Sequence, residues 1–289
     1  MKFALFLGCT IPASLGQYES SSRAVLKKLD LELVDIGEFN CCGYPMRNIH
    51  LKASVLASAR NLALAEKVNL NIMTLCQCCY GSLKKADHLM KEDASLRKEI
   101  NDTLEKEGLK YEGGIEVMHL LSVLHKSIGV EVVKDKIIRP YKGLKIATHY
   151  GCHVLRPSSV VQFDDPVAPT VFDELVALTG AESIYWPTRL ECCGAPVAGI
   201  NDDLAMDLTE KKLTDGKQSG ADYLCAACPF CYIQFDAVGK MIPPEREIDH
   251  VLSPILYPQL LGLSMGIDSR ILGLESGWTD APGIERFLS

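Results

Sequence analysis

Cys41-Cys42-Gly43-Tyr44-Pro45 returns in the second half of the chain as Cys192-Cys193-Gly194-Ala195-Pro196, and that recurrence decides how everything else is read. A lone cysteine stands ahead of each copy, Cys9 in the first half and Cys152 in the second. A C-x2-C pair follows each, as Cys76-Gln77-Cys78-Cys79 and as Cys228-Pro229-Phe230-Cys231. Of the 12 cysteines only Cys78 and Cys225 fall outside this scheme. A spacing that reproduces itself over half a chain points to internal duplication of a site offering five thiols.

Outward from the cysteines, apolar runs alternate with helical spacing. Lys2–Leu7 reads as a buried strand ended by Gly8-Cys9, and Leu31–Ile36 as a second strand that delivers Cys41-Cys42. Asn71–Leu75 is a third strand, ending at Cys76. Helices are expected near 20–29 and 51–68, over the charged stretch 84–107, and from Glu116 to about Lys126. After a joint at 127–143 the plan restarts: strands at 144–150, 181–186 and 222–224, helices at 171–178, 202–216 and beyond Cys231. Glu247-Ile248-Asp249-His250-Val251-Leu252 repeats the apolar helix opening at Glu116-Val117-Met118-His119-Leu120-Leu121. The expectation is an α/β protein of two pseudo-symmetric units, 1–140 and 141–289, each a mainly parallel sheet flanked by helices. Every cysteine group lies just past a strand. In a parallel sheet those strand ends share one edge, where ligands bind, so topology gathers cysteines that are distant in sequence.

The bulk composition agrees. A chain of 289 residues with 47% hydrophobic and 23% charged residues can bury one large core or two ordinary ones. A net charge of −7 gives no global reason to bind nucleic acid. Adjacent cysteines are poor loop-closing staples and fit metal thiolates in a reducing, cytoplasmic setting. Phe3–Leu7 is shorter than the roughly 7–15 residues of a signal h-region and reads better as a buried first strand. The uncharged run Val251–Ile267 is broken by Pro254, Pro258 and Gly262, so no membrane span is expected.

Zinc and an ordinary cubane cluster each take four protein ligands, whereas each half here offers five. The surplus fits an iron–sulfur cluster of unusual shape better than zinc or thiol–disulfide chemistry. Cys78 and Cys225 read as small buried apolar residues. Cys225-Ala226-Ala227-Cys228 is also a C-x2-C, but the repeat aligns Cys228 with Cys76 and leaves Cys225 as the odd one out. Gly43 and Gly194 allow the backbone to approach a cluster and donate N–H groups to it, and Pro45 and Pro196 stiffen those turns. His149 and His153 flank Cys152 and are candidate proton donors. Arg47, His50, Arg156 and Arg189 lie near the cysteines and are candidates for holding an anion. No phosphate-binding loop or dinucleotide fingerprint is present.

The duplicated CCG pattern, with Tyr150-Gly151-Cys152-His153 followed by Arg156-Pro157, resembles the B subunit of the CoB–CoM heterodisulfide reductases of methanogenic archaea over essentially the whole chain. The CCG motif is shared with iron–sulfur subunits of glycerol-3-phosphate, lactate and some succinate dehydrogenases. Those usually carry ferredoxin-like segments that this sequence lacks. The resemblance implies two non-cubane 4Fe–4S clusters, one held by Cys9, Cys41, Cys42, Cys76 and Cys79, the other by Cys152, Cys192, Cys193, Cys228 and Cys231. The inserted Cys78 departs from the family pattern and keeps it open beside Cys76. The resemblance also implies reduction of the CoM-S-S-CoB disulfide to two thiols in methanogenesis. Electrons would come from the cubane clusters of the heterodisulfide reductase C subunit and from the flavin-bearing A subunit, often with a hydrogenase. An electron-relay subunit without bond cleavage and a structural zinc protein are the alternative readings.

Overall fold

The short apolar runs ahead of each cysteine group form strands because they are buried on both faces, as parallel strands covered by helices are. Phe3, Ala4, Leu5 and Phe6 are all buried, as are Ile72, Met73 and Thr74. A computed structural model describes residues 1–241, 252–274 and 283–289. In chain order the first half comprises β1 (Lys2–Phe6), α1 (Thr10–Ser14), α2 (Gly16–Lys28), β2 (Glu32–Val34), α3 (Leu51–Lys67), β3 (Ile72–Thr74), α4 (Gln77–Glu92), α5 (Ala94–Leu104), β4 (Val117–His119), α6 (Leu120–Ser122) and α7 (Val130–Asp135). The second comprises β5 (Lys145–His149), α8 (Ser158–Val161), α9 (Val171–Leu178), β6 (Glu182–Ile184), α10 (Asp202–Gln218), β7 (Tyr223–Ala226), α11 (Pro229–Met241), β8 (Ser253–Leu256) and α12 (Tyr257–Ser264).

The strands make two four-stranded sheets of the same order, β2-β1-β3-β4 and β6-β5-β7-β8, with every pair parallel. Registers match as well: Ala4 pairs with Val34 and Ile72, and Ala147 with Ile184 and Leu224. The strand order reverses between β1 and β3, and again between β5 and β7. These are the switch points where open α/β sheets bind ligands, and Cys9, Cys76, Cys152 and Cys228 follow those four strands.

One expectation is corrected. Val117–His119 is not the start of a helix but a fourth parallel strand, and the helix begins at Leu120. Three residues are too few for helical and strand periodicity to be told apart. Its counterpart in the second half is β8, with Pro254 tolerated because the strand lies at the sheet edge. The expected repeat of that helix at Glu247–Leu252 falls mostly on residues 247–251, outside the described residues. The charged stretch 84–107 is two helices broken at Asp93, which caps the second by accepting from Leu96 N at 2.9 Å. The joint at 127–143 is partly helical, because π-helical Val123–Gly129 leads into α7.

The helices after β4 and β8 change sides. α6 and α7 pack on α9 of the second half, and α12 packs on α2 of the first. His125 meets Glu174 at 2.8 Å, and Lys28 Nζ donates to Met265 O. This reciprocal exchange fixes how one sheet faces the other, and therefore where the two cysteine sets stand. No helix among the described residues is long and apolar enough to cross a membrane.

Candidate metal centre

The turn that carries each double cysteine is built the same way twice. Gly43 (φ +81°) and Gly194 (φ +95°) take the left-handed conformation. A Cβ at Gly194 would lie 2.5 Å from Ala205 O, and one at Gly43 2.7 Å from Ser54 O, so only glycine fits. Each turn is pinned from the following helix: Ser58 Oγ donates to Cys42 O at 2.6 Å, and Thr209 Oγ1 to Cys193 O at 3.0 Å. The backbone then points N–H groups at sulfur. Gly194 N donates to Cys192 Sγ at 3.4 Å, and the Gly43 N–H helps hold the Cys41 thiolate.

The ten scheme cysteines do come together. All twelve are free thiols, most of them buried, with Cys9 at the surface. In the first half Cys9, Cys41, Cys42, Cys76, Cys78 and Cys79 line one small cavity, about 20 Å³. Phe230 of the second half closes it. In the second half Cys152 interacts with Cys192, Cys192 with Cys193, and Cys193 with Cys231. The two sets meet rather than turn away: the sulfurs of Cys76, Cys78 and Cys228 lie within 4.8 Å of one another, across the boundary between the halves.

His119, missed by sequence reasoning, holds that junction. Its Nε2 faces Leu75 O at 3.3 Å and Ala227 O at 3.1 Å, the residues just before Cys76 and Cys228. Two carbonyls require Nε2 to carry the proton, and Nδ1 accepts from Leu121 N at 3.3 Å. Burial depresses its pKa to about 4, which keeps the ring neutral.

The thiols cannot all ionise by themselves. Hydrogen bonds from Cys152 and Cys193 draw the Cys192 thiol down to about 2. The same contact with Cys192, together with burial, pushes Cys152 up. Cys42 is likewise lowered by Cys41 and Cys79, and both of those are raised. Each thiolate is stabilised only while its neighbours keep their protons. Five thiolates together require a cationic core among them. Among the described residues, two buried polar side chains border the cysteines without a hydrogen-bond partner: Gln77, beside Cys76, and His149. His149 lies within 4.8 Å of the Cys193 and Cys231 sulfurs. This donor set fits iron–sulfur centres. Cys225, buried in β7 where Met73 stands in β3, lies within the sheet core rather than past its edge.

Among the candidate polar residues, Arg47 and His153 converge. Tyr44 Oη is 3.0 Å from His153 Nε2, and Arg47 Nη1 donates to the same nitrogen at 3.0 Å. Burial, and then the Arg47 charge, lower the His153 pKa, so its ring is neutral. Arg47, Lys85, His153 and Arg156 line a pocket of about 240 Å³ between the halves, with no carboxylate among the described residues that line it. The other two do not join them. His50 caps α3, its Nδ1 accepting from Ala53 N at 3.2 Å, and Arg189 is paired with Asp173 at 3.1 Å.

Comparison with known proteins agrees with this geometry. The model of the CCG cysteine-rich domain matches twice, at residues 3–84 and 146–236. The chain is 36% identical to the B subunit of the ferredoxin/F420H2-dependent CoB-CoM heterodisulfide reductase of Methanosarcina acetivorans, over 95% of this chain and 92% of that one. It is 33% identical to the 8-methylmenaquinol:fumarate reductase membrane anchor subunit of Wolinella succinogenes, over 97% of this chain and 98% of that one. A hypothetical protein from Helicobacter pylori shares the fold, with a TM-score of 0.76 at 18% identity, covering 96% of this chain and 51% of that chain.

Proposed function

Because the chain belongs to the family of duplicated CCG cysteine-rich domains that includes the B subunit of heterodisulfide reductase, we propose that it is the disulfide-reducing subunit of such an enzyme. The observation that carries the proposal is the meeting of two thiol nests beside a cationic pocket. Cys9, Cys41, Cys42, Cys76 and Cys79 would hold one non-cubane 4Fe–4S cluster, and Cys152, Cys192, Cys193, Cys228 and Cys231 the other. When bound, each cluster supplies one electron at a time. Splitting CoM-S-S-CoB into coenzyme M and coenzyme B breaks one sulfur–sulfur bond and consumes two electrons and two protons, so paired one-electron sites suit it.

The protein's own groups would do the rest. Arg47, Lys85 and Arg156 would hold the anionic groups of the substrate in the pocket between the halves. His153, lining that pocket, would take up a proton from solvent and relay it to a departing thiolate, and Arg47 beside it would favour return of the ring to its neutral form. His149 is too enclosed to exchange protons with solvent, and its unpartnered nitrogens suit contact with a cluster. Electrons would arrive from the C subunit and the flavin-bearing A subunit of heterodisulfide reductase, in some assemblies with a hydrogenase, in the cytoplasm.

The likeness to the Wolinella anchor protein favours a second reading, an electron relay with no bond cleavage of its own. Anaerobic reconstitution tests both. About eight irons per chain are expected, against about two zincs for structural zinc sites. The iron-loaded chain, supplied with a reduced viologen, should consume the heterodisulfide and release two thiols per molecule. Unimpaired electron throughput with no thiol release would establish the relay instead.

A further inference from the structure

The duplication lets each residue around one nest be compared with its counterpart around the other. Ser58 and Thr209 do the same work, each donating to the carbonyl of the second cysteine of its pair. One helical turn further along the same face the halves part: the residue is Asn61 in α3 and Lys212 in α10. Asn61 is fully buried and neutral, its Nδ2 donating to Cys41 O at 3.3 Å. Lys212 is just as enclosed, at 1% exposure, and carries a charge.

A buried ammonium needs a reason to stay charged. The Lys212 Nζ donates to Thr188 O and sits 4.5 Å from the centroid of the Trp186 ring. Among the described residues no carboxylate forms an ion pair with it; Glu191, whose charge reaches it, is paired with Lys211 at 3.1 Å. Burial draws its pKa down to about 8, and the negative charge of Cys193 and Cys231 works the other way. At about 8 the ammonium keeps its charge at neutral pH, supported by Cys193, Cys231, Glu191 and Cys192. The first nest has no equivalent among the described residues. Phe6 stands in β1 where His149 stands in β5, and His149 is kept neutral by burial and by Lys212. Arg47, half-buried and lining the pocket between the halves, is shared with His153, and solvent screens it.

We infer that Lys212 is a fixed buried cation that sets the second site at a higher reduction potential than the first, so that an electron entering the chain comes to rest beside Lys212. The inference rests on the iron–sulfur reading of both nests. Adding one electron makes a site more negative by one charge, with no bond made or broken. A nearby cation in a weakly screened interior stabilises that reduced form. Lys212 acts as a positioning charge and touches no substrate. The expected preference is at least tenfold, which for a one-electron couple is about 59 mV.

The test is a mediated reductive titration of the full, iron-loaded chain under anoxia, with each site's signal followed by EPR. Iron is measured first. A chain that binds none overturns the iron–sulfur reading, and this inference falls with it. An iron-loaded chain with one shared potential overturns this inference alone. Two potentials are expected. Lys212→Met should lower the higher one at least tenfold in equilibrium terms, Lys212→Arg should keep it, and Asn61→Lys should raise the lower one. If Lys212→Met fails to retain iron, the double variant Cys192→Ser/Cys193→Ser decides. It disables the second site and should leave only the lower potential. Persistence of the higher potential in either variant refutes the assignment.

Discussion

Replacing His119 by glutamine tests how the two halves are tied together. In the native protein the neutral ring donates to Leu75 O and Ala227 O and accepts from Leu121 N, while Tyr80 and Phe163 pack edge-on against it. Glutamine keeps an acceptor and an amide with two N–H donors for the two carbonyls, and what it loses is the ring packing against Tyr80 and Phe163. Leu75 O also keeps the Tyr18 hydroxyl at 2.9 Å. Two edge-on ring contacts at about 0.5–1.5 kcal/mol each put the expected loss at about 1–2 kcal/mol near pH 7.5. The pH dependence is the sharper test. The ring's pKa falls from 6.5 to about 4 on folding. Between those values the unfolded chain binds the proton and the folded chain does not. The contribution is therefore complete above pH 6.5 and is lost as pH falls towards 4. Between about pH 7.5 and about pH 5 the native chain should give up about 2 kcal/mol through this residue, and the glutamine variant nothing. His149 is common to both chains and cancels in the difference. Urea unfolding under anoxia, followed by the fluorescence of buried Trp186, should show the gap between the two proteins closing across that range. A gap that stays constant with pH would refute the account of His119 as a neutral staple.

Gly194→Ala should lose iron from the second site, because the added methyl meets Ala205 O at a positive φ whose cost for alanine is about 1–2 kcal/mol before any clash; iron analysis and the EPR signal of that site read the outcome. Cys225→Ala should retain a full iron complement and Cys231→Ser should not, since Cys225 lies within the sheet core and Cys231 beside Cys193. Arg47→Ala should raise KM for the heterodisulfide at least several-fold with little change in iron content, and an unchanged KM would remove the pocket from the substrate's path.

Much of this architecture could be read in the sequence, because the apolar runs before the cysteines are strands buried on both faces and the topology then dictates where the cysteines lie. β4 and β8 escaped for local reasons. Val117–His119 is three residues running directly into a helix, and Ser253–Leu256 contains a proline. The reciprocal packing of α6 and α7 on α9, and of α12 on α2, has no local signature at all, since it concerns which amphipathic face meets which. His119 and Lys212 were hidden for a related reason. Their meaning lies in what they face across the molecule, and a lone histidine or a lysine in a charged helix carries no hint of that. Among the candidate anion ligands, Arg47 and Arg156 line the pocket, whereas His50 and Arg189 serve a helix cap and an ion pair.

The internal comparison separates two kinds of constraint. Where the backbone has one solution, the halves agree: glycine at the left-handed turn, a hydroxyl beneath the second cysteine, one strand order and one register. Where side chains border the nests, they differ. Tyr44, Cys78, Phe6 and Asn61 in the first half stand where the second has Ala195, Phe230, His149 and Lys212. A scaffold that only stored two identical groups would have no use for such differences. Under the proposed function two electrons would reach one disulfide through sites that take one electron each, and the two sulfurs of that disulfide would be chemically unlike. A symmetric pair would treat both sulfurs alike. An asymmetric pair, with a buried cation on one side and a tyrosine, an arginine and an extra thiol on the other, can distinguish them, and that follows from the residues that break the repeat rather than from those that keep it.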